Sequence, residues 1–236
     1  MTATLIDGTQ IAKAVQAEVG LEVASLKERG INPGLAVVLV GEDPASASYV
    51  GMKARMCERL GMTSKKLILS EDIEEFELIS SIHELNADDS IDGILVQLPL
   101  PKHVNKHKIL EAVDPVKDVD GFHSSNIGSL VLGHENLVAC TPLGVLEMLI
   151  RSGVQIEGAR AAVMGRSDDV GKPMAMLLMH RHATVTTCHS RTRELASVTR
   201  EADIIVAAIG RLAMVTGDFI KPGAVVIDVG INHIEA

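Results

Sequence analysis

The alternation of short aliphatic runs with amphipathic segments restricts what this chain can fold into more than any other feature. After "IDGT", Ile11, Val15, Val19, Val23 and Leu26 recur at intervals of three and four and stop at Gly30, which predicts one long helix. "GLAVVLVGE" then reads as a buried strand, and Asp43 followed by Pro44 as an N-cap with proline at the first position of a helix that ends near Gly61. "KKLILS", a helical stretch over 73–87 and the strand-like "DGILVQLPLP" continue the series. A second series follows the helix-like "TPLGVLEMLIRSG", with candidate strands "ARAAVMG", "TVTTCHS", "ADIIVAAIG" and "AVVIDVGI". Such alternation predicts parallel sheets with helical crossovers. The expected fold is therefore α/β in two domains, residues 1–140 and 141–236, the second a Rossmann-like parallel-sheet dinucleotide domain.

Composition narrows the partners. With 236 residues the chain is long enough to bury two cores, and with only three Phe, one Tyr and no Trp those cores must be aliphatic. A formal charge of -9 argues against nucleic acid, whose binding relies on Lys and Arg neutralising phosphates. Three widely spaced cysteines, Cys57, Cys140 and Cys188, provide no disulfide framework and fit a reducing compartment. The start "MTATLIDGTQ" lacks the features of a signal peptide, and no apolar run reaches the length of a membrane span, so a cytoplasmic protein without membrane partners is expected.

In "AAVMGRSDDVGKPMAMLL" a strand enters a glycine-bearing turn and then a helix, where doubly wound domains receive a pyrophosphate. Gly165 and Gly171 are six apart with Arg166 and Ser167 between them, so the usual G-x-G-x-x-G spacing fails and an ordinary strand-to-helix turn stays open. A P-loop is excluded, because Gly171 and Lys172 are followed by Pro173. The next strand ends in Cys188, His189, Ser190 and Arg191 where an NAD site would carry an acid, so neutral and cationic donors there, with Arg166, favour the additional phosphate of NADP.

In the first domain, Tyr49 and Lys53 stand one turn apart on a single helix face. Gln97 is a polar residue near the carboxyl end of an apolar strand, the end at which ligands bind in open α/β sheets. The Leu98-Pro99 continuation cannot form a regular central ladder and suits a rigid, apolar pocket wall. "VDPVKDVDGFH" is dense in carboxylates, yet fitted to a calcium loop it puts Val116 and Ile127 at ligand positions. His103 and His107 have the spacing of a zinc helix, but Lys102, Lys106 and Lys108 around them favour a solvated basic segment. No metal is expected.

Together, "DPASASYVGMKARMCERLGM", "DGILVQLPLPKH", "DPVKDVDGFHSSNIGSL", "CTPLGVLEML", "GRSDDVGKPMAMLL", "ATVTTCHSRT" and "VVIDVGIN" resemble, in order and over essentially the whole chain, the motifs of the bifunctional methylenetetrahydrofolate dehydrogenase/methenyltetrahydrofolate cyclohydrolase family. The resemblance implies an enzyme of one-carbon metabolism and purine biosynthesis that uses NADP, acts on folate substrates in a cleft between its domains and forms a homodimer. It implies that Lys53 is the catalytic amine, that Gln97 hydrogen-bonds it, that Tyr49 stacks on the aminobenzoate part of the folate and that Asp120 accepts from the pterin edge, with Leu98 and Pro99 beside the substrate. The same resemblance puts Gly165, Arg166, Ser167, Gly171, His189, Ser190, Arg191 and Ile231 at the cofactor. A lysine partly removed from water would exchange protons near neutrality, which suits such a role.

The sequence departs from the family at Asp169, where an aliphatic residue is usual, at Ala139, where a proline is common, and beyond "VGIN", where the family continues through a proline- and glycine-rich stretch to a final helix. The second domain is accordingly expected to be incomplete at its carboxyl end. The missing stretch and Asp169 keep a non-catalytic folate-binding protein as one alternative, while Ala139 affects only local stiffness. Another two-domain NADP dehydrogenase, shikimate dehydrogenase-like, is a second, against which the Tyr49, Lys53, Gln97 and Asp120 set argues.

Overall fold

The computed structural model describes residues 3–230, and its elements follow the alternation in order. They are α1 (Gly8–Glu28), β1 (Gly34–Val40), α2 (Pro44–Leu60), β2 (Thr63–Leu69), α3 (Glu75–Asn86), β3 (Gly93–Val96), α4 (Lys106–Glu111) and α5 (Ser124–Val131). After them come α6 (Cys140–Arg151), β4 (Arg160–Met164), α7 (Gly171–His180), β5 (Thr184–Cys188), α8 (Leu195–Arg200), β6 (Ile204–Ala207), a 3-10 turn (Gly217–Phe219) and β7 (Val225–Asp228).

Packing divides the chain into two compact units, Thr9–Asn126 and a second made of the residues up to Gly8 with those from Ile127 onward. The division falls earlier than residue 140 because Leu130 of α5 and Val138 belong to the same core as Val145, Leu146 and Leu149 of α6. Ile6 packs against that core as well, which draws the amino-terminal residues into the second unit.

The first unit is built on a parallel sheet of order β2-β1-β3. β1 lies in the middle, and its all-apolar sequence GLAVVLV is buried at six of seven positions, as a strand covered on both faces requires. β2 is an edge, and its exposed Lys65 and Lys66 discourage pairing with another strand. β3 ends at Val96, although Gln97 still donates its backbone N–H to Val38 O at 2.8 Å. The ladder stops there because Pro99 and Pro101 have no N–H to offer. The Leu98-Pro99 peptide is cis.

The second unit carries a parallel sheet of order β5-β4-β6-β7. Strands β4 and β6 occupy its centre, and β6 (IIVA) is wholly buried. One face packs Val163, Ile204 and Val206 against α6 and α7, and the other packs Ala162, Met164 and Ile205 near α8. The doubly wound arrangement read from the sequence is therefore present in this unit.

Candidate functional site

Helix α2 is set by its ends and by one stripe. Asp43 accepts from the backbone N–H of Ser46 at 2.8 Å, and hydrogen bonds from Ser46 hold the Asp43 carboxyl below its ordinary pKa. At the other end Gly61, at φ +80°, donates to Glu58 O while Met62 donates to Cys57 O, a Schellman motif that needs the left-handed conformation glycine tolerates. Between these caps Ser46, Val50, Ala54 and Cys57 are buried, with Val50 packed against Val37, Leu39 and Leu95. This stripe fixes the rotation of α2 and leaves Tyr49 and Lys53 on the adjoining row, where Tyr49 keeps 43% of its surface exposed.

From that row Lys53 reaches the end of β3. Its Nζ donates to Gln97 Oε1 at 3.1 Å, joining residues 44 apart in sequence. Gln97 Nε2 donates to Leu98 O at 2.8 Å, and because a carbonyl can only accept, that bond turns the amide so that its oxygen faces the lysine. Gln97 is thus held by its own backbone neighbour, and the amine it orients is half-buried. Leu98 contributes this carbonyl, while Pro99 is exposed.

Asp120 comes from the segment that flanks β3 on its free side. Ile94 forms a parallel bridge with Asp118, and Ile94 N–H donates to Lys117 O at 2.6 Å. The chain turns directly after Asp118, and half-buried Asp120 lies in that turn, two residues past the bridge to β3. The structure therefore brings Lys53 and Gln97 into contact and puts Asp120 and Tyr49 on the elements that flank them.

In the second unit, Gly165 ends β4 at φ +139°, and a Cβ there would lie 2.4 Å from Ala208 O. A Cβ on Gly171 would meet Gly165 O at 2.4 Å and Arg166 N at 2.6 Å. Both glycines are required by the close approach of backbone to backbone, which brings the start of α7 over the end of β4. Gly165 N–H donates to Cys188 O at 2.9 Å, and burial pushes the Cys188 thiol pKa up. Ser167 Oγ accepts from the N–H groups of Val170 and Gly171, each at 3.3 Å, and Arg166 and Ser167 are exposed. Asp168 pairs with Lys172, and Asp169 is half-buried in the same turn.

The loop after β5 is closed by Thr192, whose hydroxyl accepts from His189 N–H at 2.9 Å, while His189 Nδ1 accepts from Arg191 N–H at 3.1 Å. Ser190 and Arg191 are exposed at the carboxyl end of β5, beside the end of β4 that leads into the glycine turn. A turn that only glycine can fill, a ten-residue helix starting from it and two exposed guanidinium groups fit a dinucleotide phosphate. Ile231 lies outside the described residues.

Several features at these positions carry no distinct signal in the sequence. A cavity of about 170 Å3 at the ends of β6 and β7 is lined by Ala207, Ile209, Arg211, Met214 and Asp228, and the only hint of it is the glycine after "VAAI". A larger groove, about 520 Å3, lies along β4, β5 and α8 among Arg160, Thr184, Thr186 and Ser197, away from the glycine turn. In the first unit Glu111 accepts from Ser124 N–H and Ser124 Oγ, both at 2.9 Å, and fixes the start of α5. Burial acts to raise the Glu111 carboxyl, yet those two bonds hold it below the usual range.

The fold and these two constellations define the class: a two-unit α/β protein that pairs an oriented lysine in one unit with a dinucleotide-type glycine turn in the other. Residues 6–120 match the tetrahydrofolate dehydrogenase/cyclohydrolase catalytic domain, and residues 139–236 match the NAD(P)-binding domain of the same family. The bifunctional protein FolD of Brevibacillus brevis is 50% identical over 235 residues, covering 100% of this chain and 83% of that protein. The bifunctional FolD methylenetetrahydrofolate dehydrogenase/cyclohydrolase structure from Campylobacter jejuni superposes with a TM-score of 0.96 at 45% identity, covering 98% of this chain and 83% of that one. The Trypanosoma brucei methylenetetrahydrofolate dehydrogenase-cyclohydrolase, solved with NADP cofactor and inhibitor, gives 0.92 at 39% identity, covering 98% and 80%. The chain belongs to the tetrahydrofolate dehydrogenase/cyclohydrolase family. Neither the shikimate dehydrogenase-like alternative nor the non-catalytic folate binder is favoured by these matches.

Proposed function

We infer that the protein oxidises 5,10-methylenetetrahydrofolate with NADP and hydrolyses the resulting 5,10-methenyltetrahydrofolate to 10-formyltetrahydrofolate. The observation that carries this reading is the Lys53 Nζ to Gln97 Oε1 bond at 3.1 Å, which supplies an oriented amine in a chain of this family. For hydrolysis, a neutral amine can keep one hydrogen on Gln97 and offer its lone pair to a water. As that water adds to the methenyl carbon, Lys53 takes its proton. When the bond from that carbon to N5 breaks, the electron pair stays on N5, Lys53 returns a proton there, and the hydroxyl proton leaves to solvent as the formyl group forms.

Tyr49, with its ring partly exposed, stacks on the aminobenzoate portion, and Leu98 and Pro99 form an apolar wall. Asp120 accepts from the amino-pyrimidine edge, a donor-rich surface that matches a carboxylate. NADP, when bound, supplies the hydride acceptor. Gly165, Ser167 and Gly171 would hold its pyrophosphate, and Arg166, His189, Ser190 and Arg191 would hold the additional phosphate. Ile231 belongs to the same proposed set.

The wider setting is also proposed: one-carbon metabolism that feeds purine biosynthesis, in the cytoplasm, with a homodimer as the assembly and no nucleic-acid or membrane partner. The charge of -9 and the free thiols Cys57 and Cys188 agree with it, and among the described residues no helix is long and apolar enough to cross a membrane. The test is absorbance of the methenyl product during NADP-dependent turnover of 5,10-methylenetetrahydrofolate, followed by its decay on hydrolysis. Lys53→Ala should lower the hydrolytic rate by about 100-fold or more with the melting temperature within a few degrees of wild type. Full hydrolytic activity in that variant would remove Lys53 from the mechanism.

A further inference from the structure

The run DPVKDVDGFH contains three carboxylates, and they have separate structural positions. Asp114 N–H donates to Asn86 Oδ1 at 2.9 Å, which ties the start of the run to the end of α3. Lys117 Nζ donates to Asn86 O at 2.8 Å and to Asp88 O at 3.0 Å, a cation on the carbonyls at a helix carboxyl terminus, where it is favoured. Lys117 is therefore an anchor. Its neighbour Asp118, only 4% exposed, is the one buried acid among the described residues.

Asp118 closes the following turn twice. Its carbonyl accepts from Gly121 N–H at 3.1 Å, which makes a four-residue turn with Val119 and Asp120 at the centre and Gly121 at φ +64°. Its carboxylate Oδ2 accepts from His123 N–H at 2.8 Å and from Asn126 Nδ2 at 2.9 Å. Asn126 Nδ2 also donates to Pro115 O at 2.9 Å, so both edges of the turn are tied to the chain on either side. The bridge to Ile94 fixes Asp118 itself against β3.

We propose that Asp118 is the positioning residue of the folate site, clamping the 118–121 turn so that the Asp120 carboxylate is held beside β3. The proposal rests on the assignment of Asp120 to the pterin edge. Without this clamp the backbone that carries Asp120 would shift, and the loss would fall on substrate binding rather than on the cofactor unit. The role is geometric: one oxygen of Asp118 receives both donors, so an asparagine with its Oδ1 in that position preserves both hydrogen bonds, whereas alanine removes both.

The experiment measures KM and kcat for 5,10-methylenetetrahydrofolate and KM for NADP in Asp118→Ala, Asp118→Asn, Asn126→Ala and Asp120→Asn, with melting temperatures alongside. Expected are a folate KM raised at least about tenfold in Asp118→Ala and less in Asn126→Ala, an NADP KM within twofold throughout, and rescue to within about threefold in Asp118→Asn. If Asp118→Ala does not fold, Asn126→Ala decides by the same split between the two KM values. A wild-type folate KM in the clamp variants, or an Asp118→Asn defect as large as that of alanine, overturns the proposal. An unchanged folate KM in Asp120→Asn instead overturns the Asp120 assignment on which it rests.

Discussion

Gly171→Ala sets two physical effects against each other, and the structure decides between them. Alanine exceeds glycine in helix propensity by about 1 kcal/mol, and removing glycine also restrains the unfolded chain, so this change in an ordinary helix stabilises. At Gly171 the new Cβ would sit 2.4 Å from Gly165 O, 2.5 Å from Gly165 C and 2.6 Å from Arg166 N. All three are backbone atoms of the turn that ends β4, so no flexible side chain can move aside. Ordinary carbon contacts begin near 3.4 Å, so the start of α7 and the turn must separate by roughly 1 Å, at a cost of about 1–3 kcal/mol or more. Steric cost exceeds propensity, and the net effect is destabilisation.

The functional effect should exceed the loss of stability. The separation displaces the N–H groups at the start of α7 and the Gly165 turn, the groups proposed to face the pyrophosphate. A shift of about 1 Å in such a site can cost up to about 100-fold, so the KM for NADP should rise at least about tenfold. Steady-state kinetics with each substrate varied in turn, beside a thermal melt, reads both quantities. Cyclohydrolase activity on added methenyltetrahydrofolate serves as the internal control, since it needs the first unit. A variant with an unchanged NADP KM and an equal or raised melting temperature would refute the close-approach argument.

Two further outcomes are expected. Arg191→Ala and Arg166→Ala should each raise the KM for NADP several-fold while that for NAD changes less, because only NADP carries the additional phosphate; equal losses with both cofactors would reject the phosphate roles. Arg181 donates to both oxygens of Glu135, at 2.6 and 2.9 Å, and those bonds hold the Glu135 carboxyl below its ordinary value. A depressed folded value gives stability that is present above the unfolded pKa, near 4.3, and is lost as pH falls through the folded one. Glu135→Gln should therefore lower the melting temperature at pH 7 by about 1–3 °C for this partly solvated pair, and the difference from wild type should shrink below about pH 4. A difference that stays constant down to pH 3 would show that Glu135 acts by packing and not by charge.

Long, strongly periodic elements were legible because one physical requirement set them. β1 and β6 had to be apolar throughout to lie between neighbours, and α2 announced both of its caps in Asp43-Pro44 and Gly61. The short helices α4, α5 and α8, of six to eight residues, left no comparable pattern, since two turns hold too few apolar positions to define a face. The place where packing divides the chain was hidden for a related reason. Leu130, which commits α5 to the second core, is one apolar residue among several in "NIGSLVL", and sequence alone does not say which core receives it.

The same limit acts on the site. The Tyr49 and Lys53 pair was visible because helical spacing converts sequence distance directly into direction, and Gln97 because an amide on an apolar strand has to be satisfied. Asp118 and Asp120 share a residue type, a neighbourhood and a spacing of two, so no pattern separates the clamp from the residue it holds. What separates them is burial: Asp118, 4% exposed, has its Oδ2 taken by two donors from its own chain, while half-buried Asp120 sits at the centre of the turn that Asp118 closes. A buried acid that closes a turn stabilises a shape, and the half-buried acid at the centre of that turn is the one proposed to meet a ligand. That distinction depends on burial, and only the folded chain brings His123 and Asn126 to Asp118.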